Sequence, residues 1–250
     1  LVVFSLMGGL WLADKGNIGY YFFYAQNFVF FFKDLQSPLL NHTWSLAVEE
    51  QFYLILPFLL FFISKRYLPF CFVLMICGGL VSKYLIWNAD PGCNPKFLLP
   101  CNLDSLGSGC LLAWMYSKGK LQFIQKKQLL VLFSLVIALP VVYYFLKGFM
   151  FTQLLVLAFS VVTVLIFINK HWSSKLFFLD NPAFRFLGKI SYGIYLYHKP
   201  IPFFLRYATK NHVLPDSVYC ILAFAITVFI SWLSYTIFES FFLKMKTSFQ

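Results

Sequence analysis

The sequence predicts an all-α fold, a polytopic transmembrane helical bundle with about eight spans, and three observations carry that prediction. Apolar residues make up 60% of the 250 positions and charged residues only 12%, about half the charge share of a soluble domain. Apolar runs long enough to cross a hydrocarbon layer of about 30 Å recur along the chain. The basic residues gather between those runs rather than on them. The 33 Phe and 15 Tyr are too many for a water-facing surface. The net charge of +11 is therefore read as a set of topology determinants, with no nucleic-acid partner.

Taken in order, residues 1–13 read as a truncated first span. The chain opens inside an apolar run without an initiator Met or a signal peptide, so it reads as a fragment. Residues 18–32 are aromatic and short, and Gln26 and Asn27 interrupt them, so they read as an interfacial or re-entrant piece. The second span covers 45–64, the third 70–87 and the fourth 103–116. The fifth covers 129–146 and carries Pro140, which should kink it. The sixth covers 149–168, the seventh 186–207 and the eighth 218–243. No second domain and no solenoid repeat is visible, so residues 1–250 read as one membrane-embedded domain.

Loop charge sets the orientation. Lys65, Arg66, Lys118, Lys120, Lys126, Lys127, Lys170, Lys175, Arg185, Lys189, Lys244 and Lys246 fall on one side when the spans alternate. The positive-inside rule makes that side cytoplasmic, together with the C-terminus. The start of the second span and the loop holding Cys93 and Cys101 then face outward. In an oxidising compartment those two could bond; otherwise they are two unpaired thiols. No metal-binding spacing of Cys and His occurs, so no metal is expected.

The chemistry concentrates in residues 41–57, from Asn41 to Pro57. Glu49 and Glu50 sit at the mouth of a run that is otherwise apolar. An ionised group at the centre of a bilayer costs roughly 3 kcal/mol on insertion scales, so such residues face a cavity or a partner. They also suit a helix start, capped by Thr43 or Ser45, where the dipole favours acids. Trp44 suits stacking on a sugar and equally an interfacial anchor. Asp104 opens the fourth span and reads either as a helix-start acid or as a functional group. Gly107 and Gly109 suit close helix packing. Ser191, Tyr195 and His198 stand at i, i+4 and i+7 on one helical face.

The string His42-Thr43-Trp44-Ser45-Leu46, then Val48-Glu49-Glu50-Gln51-Phe52-Tyr53-Leu54, resembles the most recognisable motif of the acyltransferase family 3 membrane proteins, the O-antigen acetylase-like O-acyltransferases. Leu103-Asp104 through Gly109 resembles the family's Arg-x-Asp segment, with Asn102 in the place of Arg. Leu187-Gly188-Lys189-Ile190-Ser191-Tyr192 through His198-Lys199-Pro200 resembles a third family segment. Phe238-Glu239 resembles its closing one, where Glu239 reads as structural. The resemblance implies about ten helices in the family. The first two would be missing here, with the presumed catalytic histidine and the basic stretch for acyl-CoA.

What the resemblance implies is transfer of an acyl group, acetyl in the first instance, from acyl-CoA to a hydroxyl of a cell-envelope carbohydrate. Acyl-CoA is a donor substrate, and no bound cofactor is expected. The setting is the bilayer of a bacterial inner membrane. Glu49, Glu50 and His198 would support catalysis. His42, Trp44, Ser45, Gln51, Tyr53, Asp104, Ser191 and Tyr195 would line the acceptor site. A transporter of a lipid- or sugar-linked substrate is the rival reading, because polar residues at membrane depth fit it too.

Overall fold

The computed structural model describes residues 18–32, 39–90, 92–121, 134, 149–168, 181–209 and 215–247. All regular structure among these residues is helical. The expected spans at 1–13 and 129–146 lie outside them. Contacts divide the chain into two units, one built on 13–35 and 44–176 and the other on 36–43 and 177–250.

The first unit begins with two short helices, α1 (Ile18–Phe22) and α2 (Gln26–Phe32). Tyr24 between them adopts φ 51°, a left-handed conformation that a bulky residue holds only when its surroundings enforce it. Helix α3 (Trp44–Phe62) follows. Its first half buries Leu46, Ala47, Val48 and Phe52. Its second half turns apolar side chains outward, with Leu54 69% and Phe61 82% exposed. A face that apolar suits lipid rather than water. Pro57 lies inside α3 and removes the N–H that would bond the Tyr53 carbonyl.

Helix α4 (Leu68–Ala89) starts with a proline in its first turn and is apolar on all sides. At 1.5 Å per residue its 22 residues measure about 33 Å, enough to cross. Two 3-10 turns, Pro95–Phe97 and Pro100–Asn102, then reverse the chain. The Asn102 amide donates to the carbonyls of Lys96 (2.8 Å) and Leu98 (2.7 Å), which fixes the reversal. Helix α5 (Leu103–Ser117) returns along α4. The approach is close because both helices offer glycine. A Cβ on Gly79 would collide with the Asp104 backbone, and one on Gly107 would lie 3.1 Å from the Phe72 carbonyl oxygen. A Cβ on Gly109 would meet nothing within 4 Å, so only Gly107 of the expected pair serves packing. Helix α6 (Phe149–Ile168) contacts both, and Leu121 and Leu165 seal that corner.

In the second unit the expected seventh span is broken into α7 (Pro182–Lys189), α8 (Ser191–Tyr197) and α9 (Pro200–Ala208). The breaks have local causes. The Ser191 hydroxyl donates to the Gly188 carbonyl (2.9 Å) and closes α7. Pro200 stands in the first turn of α9, where it needs no N–H donor and cannot continue α8. Helix α10 (Asp216–Ser234) runs through a π-turn (Tyr235–Glu239) into α11 (Ser240–Thr247). Helix α8 crosses α10 at Gly193, where a Cβ would lie 2.9 Å from the Ser231 Cβ. Ser231 and Thr227 donate back to the Thr227 and Ala223 carbonyls (2.6 Å each), so these buried hydroxyls act as small, satisfied residues.

Three helices among the described residues are long and apolar enough to cross a membrane: Asn41–Phe62, Leu68–Ala89 and Asp216–Met245. The expectation of about eight spans is not reached by that measure. At 15 residues, α5 measures about 22 Å, too short to cross at right angles.

Candidate functional site

Polar groups gather in three places, each within one unit. In the second unit, the 3-10 turn Asn41–Thr43 is tied down by Thr43, whose hydroxyl donates to the Leu40 carbonyl (2.7 Å). The Tyr195 hydroxyl donates to the His42 carbonyl (2.6 Å), and the Lys199 ammonium donates to the Asn41 Oδ1 (2.5 Å). These bonds set the His42 ring against two others, with centroids 5.4 Å from Tyr195 and 4.7 Å from His198. The His198 Nδ1 lies 2.6 Å from the Tyr195 carbonyl oxygen. A carbonyl only accepts, so Nδ1 carries the proton and Nε2 keeps its lone pair.

His42 is 8% exposed, and neither ring nitrogen makes a hydrogen bond. The Leu196 and Tyr195 carbonyls face the ring without reaching bonding geometry. Buried polar atoms are seldom left this way. Ser191, expected on the same face as Tyr195 and His198, instead closes α7.

In the first unit, Gln51 is the anchor. Its amide donates to the Tyr24 carbonyl (2.7 Å) and to the Asn27 Oδ1 (2.9 Å). Asn27 in turn donates to the Phe97 carbonyl (2.9 Å). This network holds the left-handed Tyr24 turn against α3. Beside it opens a cavity of about 400 Å³ lined by Phe23, Tyr24, Glu50, Gln51, Tyr53 and Leu54. Glu50 is exposed there, and Glu49, one position back, is half-buried. Trp44 packs on Phe97 (5.8 Å between centroids), and the Lys96 ammonium lies 6.0 Å from its ring. Ser45 is half-buried on the same turn. Gln26 and Asn27 read in the sequence as interruptions; the structure makes Asn27 the strut of the site.

The third place is the α4–α5 crossing. Asp104 is fully buried, and its Oδ2 meets the Lys83 ammonium at 2.7 Å. Sequence reasoning passed over Lys83. The available signal was a single lysine inside an apolar span, which requires a partner. Asp104, expected to line the acceptor site, is thus engaged with Lys83. The adjoining Cys101 is fully buried. Burial pushes its thiol up to about 11; the Lys83 charge opposes that shift and the Asp104 charge adds to it. Cys93 donates to the Asp90 carboxylate (3.0 Å), and its S–H together with the Gly92 N–H hold that carboxyl below its usual range. Cys93 and Cys101 are both free thiols, so the unbonded alternative holds. Among the described residues no group of three metal ligands assembles.

These motifs fall within a match to the acyltransferase family 3 sequence model, an acyltransferase domain, over residues 1–236. The chain belongs to that family. With its long apolar helices, this makes it an integral-membrane protein. It is similar to O-acetyltransferase OatA of Staphylococcus aureus (strain NCTC 8325), at 28% identity over 88% of this chain and 38% of that protein. It is also similar to a protein of Staphylococcus aureus (strain COL) that carries a provisional O-acetyltransferase name, at 30% identity over 89% of this chain and 40% of that protein. The chain therefore spans about two-fifths of the length of these relatives. No solved structure matches it.

Proposed function

We propose that this chain is the membrane part of an O-acyltransferase that moves an acetyl group from acyl-CoA to a hydroxyl of a cell-envelope carbohydrate. The setting is a bacterial inner membrane, with the C-terminus on the cytoplasmic side. The observation that carries this reading is the cavity on α3. Its walls are Phe23, Tyr24 and Tyr53, with Glu50 and Gln51 beside them. Aromatic faces suit the C–H surface of a sugar ring, and a carboxylate suits its hydroxyls. Family membership and the O-acetyltransferase names of the relatives support the reaction type.

Chemically, the acceptor hydroxyl attacks the thioester carbonyl, so a base must take its proton and donors must hold the oxyanion. Glu49 and Glu50 orient the acceptor or the base, Trp44 lines the approach, and Tyr195 and His198 line the passage. The test uses the full-length protein in detergent with labelled acetyl-CoA and a panel of envelope glycans. CoA release that depends on a glycan is expected, and Glu50→Gln should cut it by at least about tenfold. Release by neither wild type nor variant with any glycan tried would count against the reading.

A further inference from the structure

We propose that His198 is a proton acceptor for the acceptor hydroxyl and that His42, behind it, is the positioning residue that shares the proton. This rests on the acyl-transfer reading and adds to it a base carried by the residues described here, alongside the histidine that the family resemblance places ahead of Leu1.

Three facts converge within one unit. His198 is exposed, so a substrate hydroxyl can reach it. Its Nδ1–H is committed to the Tyr195 carbonyl at 2.6 Å, which leaves the Nε2 lone pair as the acceptor. The His42 ring stands 4.7 Å from it at 72°, with both nitrogens buried and unbonded. A neutral imidazole always has one nitrogen able to accept. In the resting state that nitrogen has nothing to bind. Once His198 is protonated, it has a cationic donor beside it. The cost of the unsatisfied ring is thus recovered only in the charged state, which is the state a base must reach in the transition state.

The other groups around the pair fit one proton rather than two. Lys199 is cationic and is held at Asn41. Tyr195 uses its hydroxyl on the His42 carbonyl. On the neighbouring α10 and its π-turn, Tyr219 is bonded to the Pro202 carbonyl, and Glu239 neighbours Ser234. Within these contacts no carboxylate meets the pair, so His42 is the group that can share the charge.

The step balances as follows. The acceptor O–H bond breaks and its proton passes to the His198 Nε2. The oxygen forms a bond to the acyl carbon of the thioester, the C–S bond breaks, and CoA leaves as a thiolate that solvent protonates. His198 returns its proton to solvent.

The experiment takes full-length His198→Ala and His42→Gln in detergent, with acetyl-CoA and a glycan that supports wild-type turnover. The readouts are rate against pH, rate with added imidazole, and tryptophan-fluorescence unfolding. Removing a general base should cost about 10² or more. We expect His198→Ala to lose that much, to regain part of it with imidazole, and to lose the acid limb of the profile. His42→Gln should unfold like the wild type yet move the acid limb. His198→Ala within threefold of wild type would overturn the proposal. So would a loss that imidazole does not repair and that leaves the acid limb in place. A wild type silent with every glycan would count against acyl transfer itself. In that case histidine ¹⁵N NMR of the same protein decides on the pair: coupled titration of His42 and His198, with His198 as the Nδ1–H tautomer, supports it, and independent titration overturns it.

Discussion

Replacing Lys83 with Met isolates one buried charge and makes a quantitative test of the α4–α5 crossing. Lys83 and Asp104 are 7% and 1% exposed at their side chains and 2.7 Å apart. Removing one partner of such a pair costs roughly 3–5 kcal/mol. The structure explains why the figure has a ceiling. The orphaned carboxylate escapes by taking up a proton, and from ordinary carboxylate values that costs about 4 kcal/mol at pH 7. Asp104→Asn leaves the ammonium orphaned, and giving up its proton costs about 5 kcal/mol at pH 7. The two variants should therefore drift in opposite directions. The penalty of Lys83→Met should shrink towards acid pH, where the unfolded carboxylates are protonated as well. That of Asp104→Asn should shrink towards alkaline pH. Lys83→Met with Asp104→Leu leaves no charge behind and should fall within about 2 kcal/mol of wild type or exceed it. The assay is denaturant unfolding of the full-length protein in detergent at pH 5, 7 and 9. Two single variants each within 1 kcal/mol of wild type, with an additive double variant and parallel pH slopes, would refute the pairing.

Glycine substitutions should rank by what a Cβ meets. Gly79→Ala, against the Asp104 backbone, should destabilise by about 1–3 kcal/mol, whereas Gly109→Ala, facing open space, should gain up to about 1 kcal/mol from helix propensity; both are read by the same unfolding assay. Thiol labelling at pH 8 should modify Cys93 well before Cys101, because a thiol at about 11 is only about 10⁻³ ionised there; equal rates would contradict the burial. Because that value is raised in the fold, the contribution of Cys101 to stability is complete below its ordinary value near 9 and is lost as pH rises through about 11, a window that Cys101→Ala should flatten. Gln51→Leu should cost about 1–3 kcal/mol through the Tyr24 and Asn27 groups it leaves unbonded; no loss of stability would remove it as the anchor of the cavity.

Much of this was legible residue by residue, because local rules need only neighbours along the chain. The helix from Trp44 and its lipid-suited second half follow from the apolar run, and α4 follows the same way. Gly107 reads as a packing residue from its place in an apolar helix. What was not legible needed a partner far along the chain. Asp104 is a plausible helix-start acid until Lys83, 21 residues earlier, supplies its counter-charge. Gln51 is one polar residue among several until Asn27 and the Tyr24 carbonyl are seen to bind it. The seventh span was misread for another reason. Its average apolarity outweighed Pro200, although a proline there signals a helix start. Ser191 misled because helical spacing across 191–198 presumes a single helix, and the junction at Ile190 separates Ser191 from α7 while Pro200 ends α8.

The polar groups of this apolar chain fall into two kinds, and the difference separates scaffold from site. Lys83 binds Asp104, Gln51 binds Asn27, and Thr227 and Ser231 bind their own helix. Each of these is satisfied without any ligand, so a fixed fold is enough to account for it. His42 is buried with two unbonded nitrogens, and Glu50 borders a cavity. Low-dielectric surroundings raise the cost of an unmet polar group as much as the gain from a met one. A fold that keeps His42 unmet beside an exposed histidine therefore bears a cost that packing does not return. Hydrogen bonds formed during the reaction return it, and so replacing His42 should alter the pH dependence of turnover more than the stability of the protein.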